Sequence, residues 1–149
     1  MLEHNKILYE VMNMTDWNNF EELTKKYGRL TNPEAFAKRS YILNHYNCLG
    51  ILLKDGLVDE DELFQLYPPN TTVALYSEFE LWIKTQRMHS DGKSAFPEAY
   101  KGFEYLAGVA KSRYPNLLPL RKWTGIQPSD EAGAWGKKWD EYFAKNPPS

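Results

Sequence analysis

The sequence predicts an all-α fold, a single-domain bundle of about six to seven helices covering residues 1–149. Three observations predict it. Apolar residues recur at steps of three and four in successive segments, Gly and Pro fall between those segments, and no pair of alternating runs around a tight turn suggests a β-hairpin. With 149 residues, 42% hydrophobic and 26% charged, the chain can bury one core without disulfides or a structural metal.

Taken in order, the first helix spans about Leu2–Met12, with Leu8, Val11 and Met12 on one side. The second follows Thr15 as N-cap, places Trp17, Phe20, Leu23 and Tyr27 at helical spacing, and stops at Gly28. Asn32-Pro33 opens the longest helix, which runs to Gly56; its wide apolar arc predicts neighbours on more than one side. Asp59, with Glu62 three residues on, opens a short acidic helix that Pro68-Pro69 ends. A long helix over about Thr72–Met88 makes Trp82 a core anchor and not a ligand-stacking residue, because Leu75, Phe79, Trp82 and Ile83 share a face. Pro97 starts the next, to Arg113. After an irregular stretch from Asn116 to Pro128, a last helix over about Asp130–Ala144 carries Ala132, Trp135, Trp139, Tyr142 and Phe143 as an aromatic stripe. Gly133 and Gly136 weaken that helix by about 1 kcal/mol each, so the 116–149 extension is expected to pack on the bundle.

Three stretches carry a resemblance: RSYILNHYNCLGILLKDGLVDEDELFQLY at 39–67, LYSEFELWIKTQR at 75–87, and FEYLAGVAKSRY at 103–114. Over residues 39–114 the chain resembles the bacterial, archaeal and phage family known as domain of unknown function 4760. The resemblance implies an Arg-led helix, a Gly-Leu-Val-Asp turn, an acidic short helix, a Trp-bearing helix ending in Arg and a final Phe-Glu-Tyr-Leu helix. It carries no activity and no catalytic residues. Members of that family often have membrane helices ahead of this domain; here two amphipathic helices stand in that place.

Charge and cysteine content narrow the function classes. The net charge of −2 gives no general grip on nucleic acid, although it is uneven: residues 1–100 hold 10 basic and 15 acidic side chains, and residues 101–149 hold 8 and 5. One cysteine, Cys48, makes no internal disulfide, and Glu3, His4, Lys6 and Glu10 interrupt any apolar leader; a cytoplasmic address and no membrane segment are expected. No phosphate-cradling glycine loop, nucleophile elbow or paired zinc ligands occur, so no cofactor, no metal and no catalytic residue are predicted. His45 and Cys48 share a helix face without a second pair; Cys48 reads as a small core residue and His45 as its partly buried neighbour. Asp59–Glu62 reads as a cap and not as a cation loop.

Three readings of function remain. The first is a non-enzymatic interaction or regulatory module that meets a protein partner or a second copy of itself, drawing on the abundant aromatics, Trp135 and Trp139 among them. The second is a small anionic-ligand binder or enzyme with a pocket near Arg39 and Arg87; the structural alternative is that both arginines bond carboxylates such as Glu78, Glu80 or Glu104. The third is nucleic-acid binding through Lys111, Arg113, Tyr114, Arg121, Lys122 and Trp123, where cations alternate with rings.

Overall fold

Six helices can be delimited among the described residues: α1 (Leu2–Met12), α2 (Phe20–Tyr27), α3 (Pro33–Lys54), α4 (Glu60–Leu66), α5 (Pro69–Gln86) and α6 (Lys101–Arg113). The computed structural model describes residues 2–88, 96–117, 123, 128, 130, 131, 137, 140, 141 and 144–146. Among the described residues there is no strand. In the expected last helix, residues 130, 131, 137, 140, 141, 144 and 145 are helical, while Ala132, Trp135, Trp139, Tyr142 and Phe143 lie outside the described residues.

Local signals set most boundaries. Asn32 accepts from the Ala35 N–H at 3.2 Å and Pro33 takes the first turn of α3, where its missing N–H costs nothing. Asp59 accepts from the Glu62 N–H at 3.0 Å and opens α4. At the far end of α3, the Leu57 N–H reaches the Leu52 carbonyl and the Gly56 N–H the Leu53 carbonyl. That is a Schellman closure, and Gly56 meets its left-handed requirement with φ 71°.

Three boundaries differ from the sequence expectation. Asn19, not Thr15, caps α2: its side chain accepts from the Glu22 N–H at 2.9 Å, while the Glu22 carboxylate accepts from the Asn18 N–H at 2.8 Å. This reciprocal pair outcompetes a cap four residues earlier, and leaves Trp17 in the loop with its ring in the core. Pro68-Pro69 both ends α4 and begins α5, since Pro at the first helical position is tolerated. Pro97 does not start α6. Residues 97–100 form a turn, and Tyr100 sits left-handed at φ 55° before the helix begins at Lys101.

The helix α3 packs against α6, α1 and α2, and α6 also packs on α5. The α3–α6 crossing is close enough that a Cβ on Gly50 would overlap the Gly102 carbonyl, and one on Gly102 would overlap the Asn47 carbonyl. The most enclosed element is α5, buried from Thr72 through Phe79 and again over Leu81–Ile83. Its inward hydroxyls are satisfied within the helix: Ser77 donates to the Ala74 carbonyl and Thr85 to the Leu81 carbonyl. Trp82 is buried among the core residues, as its spacing predicts.

Among the described residues of the C-terminal stretch, Trp123 and Glu131 touch earlier parts of the chain. The Trp123 ring lies 4.8 Å from that of Trp17, and its Nε1 donates to the Ser77 carbonyl at 2.9 Å. The Glu131 carboxylate accepts from the Phe20 N–H at 2.7 Å, one of the first-turn donors of α2 that have no acceptor within the helix. No helix among the described residues is long and apolar enough to cross a membrane.

Candidate functional site

Arg87 is the simpler of the two singled-out arginines. It follows α5, donates from Nε to the Ala99 carbonyl at 2.8 Å and from Nη1 to Glu104 at 2.6 Å, and so ties the end of α5 to the 97–100 turn and to α6. Glu104 also accepts from the Tyr76 hydroxyl at 3.3 Å. Burial works to raise the Glu104 carboxyl, but the Arg87 bond and charge outweigh it and hold the group below its ordinary value. Glu80, another of the anticipated partners, pairs instead with Lys84 one turn along at 2.6 Å.

Arg39 behaves differently. It is 2% exposed on the inner face of α3, and its Nε and Nη1 are buried with no hydrogen-bond partner. Its guanidinium carbon stands 4.8 Å from the Trp82 ring centroid and 5.3 Å from that of Phe36. Burial lowers its pKa to about 10, against the pull of the nearby Tyr100, so it stays a cation at neutral pH. Stacking of a desolvated guanidinium on a ring recovers roughly 2 kcal/mol, whereas each buried donor left unbonded costs about 1–3 kcal/mol. The rings therefore offset only part of the cost, and no carboxylate stands in for the hydrogen bonds.

Beside Arg39 lies a cleft of about 350 Å³ between α3, α5 and the 97–100 turn. Phe36, Trp82, Phe96 and Tyr100 form its rings. Ser40, Asn44, Asn47 and Gln86 supply neutral polar groups, and Glu98 its carboxylate. The size falls in the range of small-ligand pockets, roughly 300–1,000 Å³. Tyr100 packs on Trp82 with centroids 5.5 Å apart and holds a backbone conformation costing of order 1–3 kcal/mol for a side-chain-bearing residue. The Arg87 bond to the adjacent Ala99 carbonyl helps to impose it. Neither the cleft nor the left-handed Tyr100 carries a local sequence signal.

The described basic and aromatic residues of 111–123 make contacts within the chain. Lys111 lies over the Tyr76 ring, Arg113 pairs with Glu60 at 2.7 Å and with Asp61, and the partly buried Trp123 packs at a tilt on Trp17. Arg121 and Lys122 lie outside the described residues. The Trp123 ring is thus engaged by protein and not presented to a base.

His45 and Cys48 do not make a site. Cys48 is exposed and not a core residue, because the buried face of α3 runs through Ile42, Leu43, Tyr46 and Gly50. His45 instead meets His4 of α1, ring centroids 4.7 Å apart; its Nε2 pairs with the Tyr67 hydroxyl at 3.0 Å and His4 Nδ1 with the Tyr41 hydroxyl at 3.3 Å. Among the described residues no group of three or more His, Cys, Asp or Glu is placed to hold a metal. Burial and the His4 charge push the His45 pKa down. The unfolded chain then takes up a proton at His45 near pH 6.5 before the folded one does, so this contribution to stability is complete above about pH 6.5 and falls as pH drops below it. We expect urea midpoints between pH 7.5 and 5.5 to decline for the wild type and to decline less for His45→Asn; equal slopes would rule out the pair as the source.

No curated protein and no solved structure matches the chain. A family described only as a domain of unknown function, DUF4760, matches residues 5–109. The match starts well before residue 39, where the resemblance in sequence begins, and so takes in most of α1 and all of α2 together with Arg39, Arg87 and the cleft. On that match, which spans most of its length, the chain belongs to the DUF4760 family.

Proposed function

We propose that the chain works as a non-enzymatic regulatory module that holds a small anionic ligand at Arg39. The observation that supports this reading is a buried cation, two of its N–H groups without partners among the described residues, beside a cleft of ligand size. In this reading Arg87 positions the cleft wall and does not bind, because its bonds to Ala99 and Glu104 fix the turn that carries Tyr100.

The test uses Arg39→Met, which keeps the length of the side chain and removes its charge. Replacing a buried, poorly compensated charge by an apolar group is often neutral or stabilising. The unliganded variant should therefore melt no lower than wild type, while losing any stabilisation by ligand. A screen of small carboxylates, phosphates and sulfates against the wild type should find at least one that raises Tm; at a hundredfold excess over Kd the rise is roughly 5–10 °C. A variant that melts far below wild type, with no anion shifting the wild type, would show that Arg39 is a structural residue held by its rings.

A second reading, a surface for a protein partner or a second copy, is favoured by the exposed Ile51, Leu52 and Leu57 around the end of α3. A solution mass above the monomer that returns to it in Leu57→Asp would support it. The nucleic-acid reading gains nothing from the engaged Trp123 and Arg113.

A further inference from the structure

The polarity of the cleft narrows the ligand further. Among the described residues that line it there is no lysine or arginine and one carboxylate, Glu98; Arg87 behind Ala99 is already paired with Glu104, so Arg39 behind the aromatic wall is the cation left for a ligand. With Glu98 already at the cleft, a dianion such as a phosphate monoester would add two negative charges to a partly dry site against one guanidinium, while a monoanion adds one, which that guanidinium can pair directly. A planar carboxylate also matches the guanidinium fork in two parallel hydrogen bonds.

The rings and amides define the rest. Phe36, Trp82 and Tyr100 favour a flat, unsaturated body that stacks. The Asn47 side-chain oxygen already accepts from the Phe103 N–H at 3.0 Å, which leaves its NH₂ as a donor toward the cleft. An acceptor on the edge of the ligand ring fits that donor. We infer that the cleft takes an aromatic or heteroaromatic monocarboxylate, its carboxylate on Arg39 and its ring among Phe36, Trp82 and Tyr100; this rests on the reading of Arg39 given above. Phe36 is only partly buried, and binding in this way requires its ring to move aside from the Arg39 N–H groups.

Calorimetric titration of the full chain at pH 7 tests the class with benzoate, nicotinate and indole-3-acetate against acetate, inorganic phosphate and adenosine monophosphate. The expected result is that at least one aromatic carboxylate binds tenfold or more tighter than acetate and phosphate. Arg39→Met should abolish that preference. So should Asn44→Trp, which fills the cleft from an exposed position and is independent of any folding effect at Arg39. If phosphate or the nucleotide binds tighter and depends on Arg39, the ligand class is wrong and the site reading stands. If the aromatic acids bind equally well to both variants, the site is elsewhere and both readings fall. If none of the probes binds, the inference is overturned, and the stability of Arg39→Met decides the site reading by itself.

Discussion

Gly50→Ala is expected to destabilise the chain by at least about 3 kcal/mol, and Gly108→Ala to stabilise it by up to about 1 kcal/mol. Helix propensity favours alanine at both positions, so any difference between them comes from what the new methyl meets. At Gly50 it meets the Gly102 carbonyl, backbone against backbone, and no rotamer change relieves the overlap. The two helices must separate, and α3–α6 is the most extensive helix contact in the fold. At Gly108, on the exposed side of α6, nothing lies within 4 Å. Urea unfolding of the two variants checks the pair; a Gly50→Ala protein as stable as wild type would mean that the helices do not cross at these glycines.

Trp17→Ala should cost about 3–5 kcal/mol, a large share of the 5–15 kcal/mol that holds a typical domain together. The indole is fully buried between the rings of Phe79 at 5.9 Å and Trp123 at 4.8 Å, and its Nε1 donates to the Met14 carbonyl at 2.7 Å. Truncation would leave a cavity at the junction of the α1–α2 loop, α5 and the C-terminal stretch, with the Met14 carbonyl unpaired. Trp17→Phe should recover most of the packing but not the hydrogen bond, a deficit of roughly 1 kcal/mol. Denaturant midpoints and near-UV circular dichroism would resolve the series. A Trp17→Ala protein within about 1 kcal/mol of wild type would show that the ring lies outside the core.

What the sequence discloses follows from how local each signal is. The Asn32-Pro33 and Asp59 starts were readable because the cap and its target N–H lie three residues apart. The start of α6 was not, since the 97–100 turn is held by Arg87, twelve residues from the Ala99 carbonyl it bonds. Of the candidate site, the sequence named both arginines and gave Glu104 as one of three carboxylates that either could bond; the structure gives it to Arg87, a cation that the helix end favours. The sequence could not separate their roles. The distinction lies in what surrounds Arg39, namely Phe36, Trp82 and Tyr100 from three places in the chain, and no spacing rule brings those rings together. The Gly50–Gly102 crossing was missed for the same reason: each glycine alone reads as a weak point in a helix, and only the meeting of the two makes them necessary.

The contacts of Trp123 with Trp17 and of Glu131 with Phe20 also set an order of events in time. The Phe20–Glu131 bond closes a loop of 111 residues, and such long-range closures form late because their entropy must be met before their contacts help. On the ribosome, which adds about 5–20 residues per second, all six helices emerge before the indole that covers Trp17 does. Until then the nascent bundle shows a wet aromatic surface on one side, and the last steps of folding amount to shutting it.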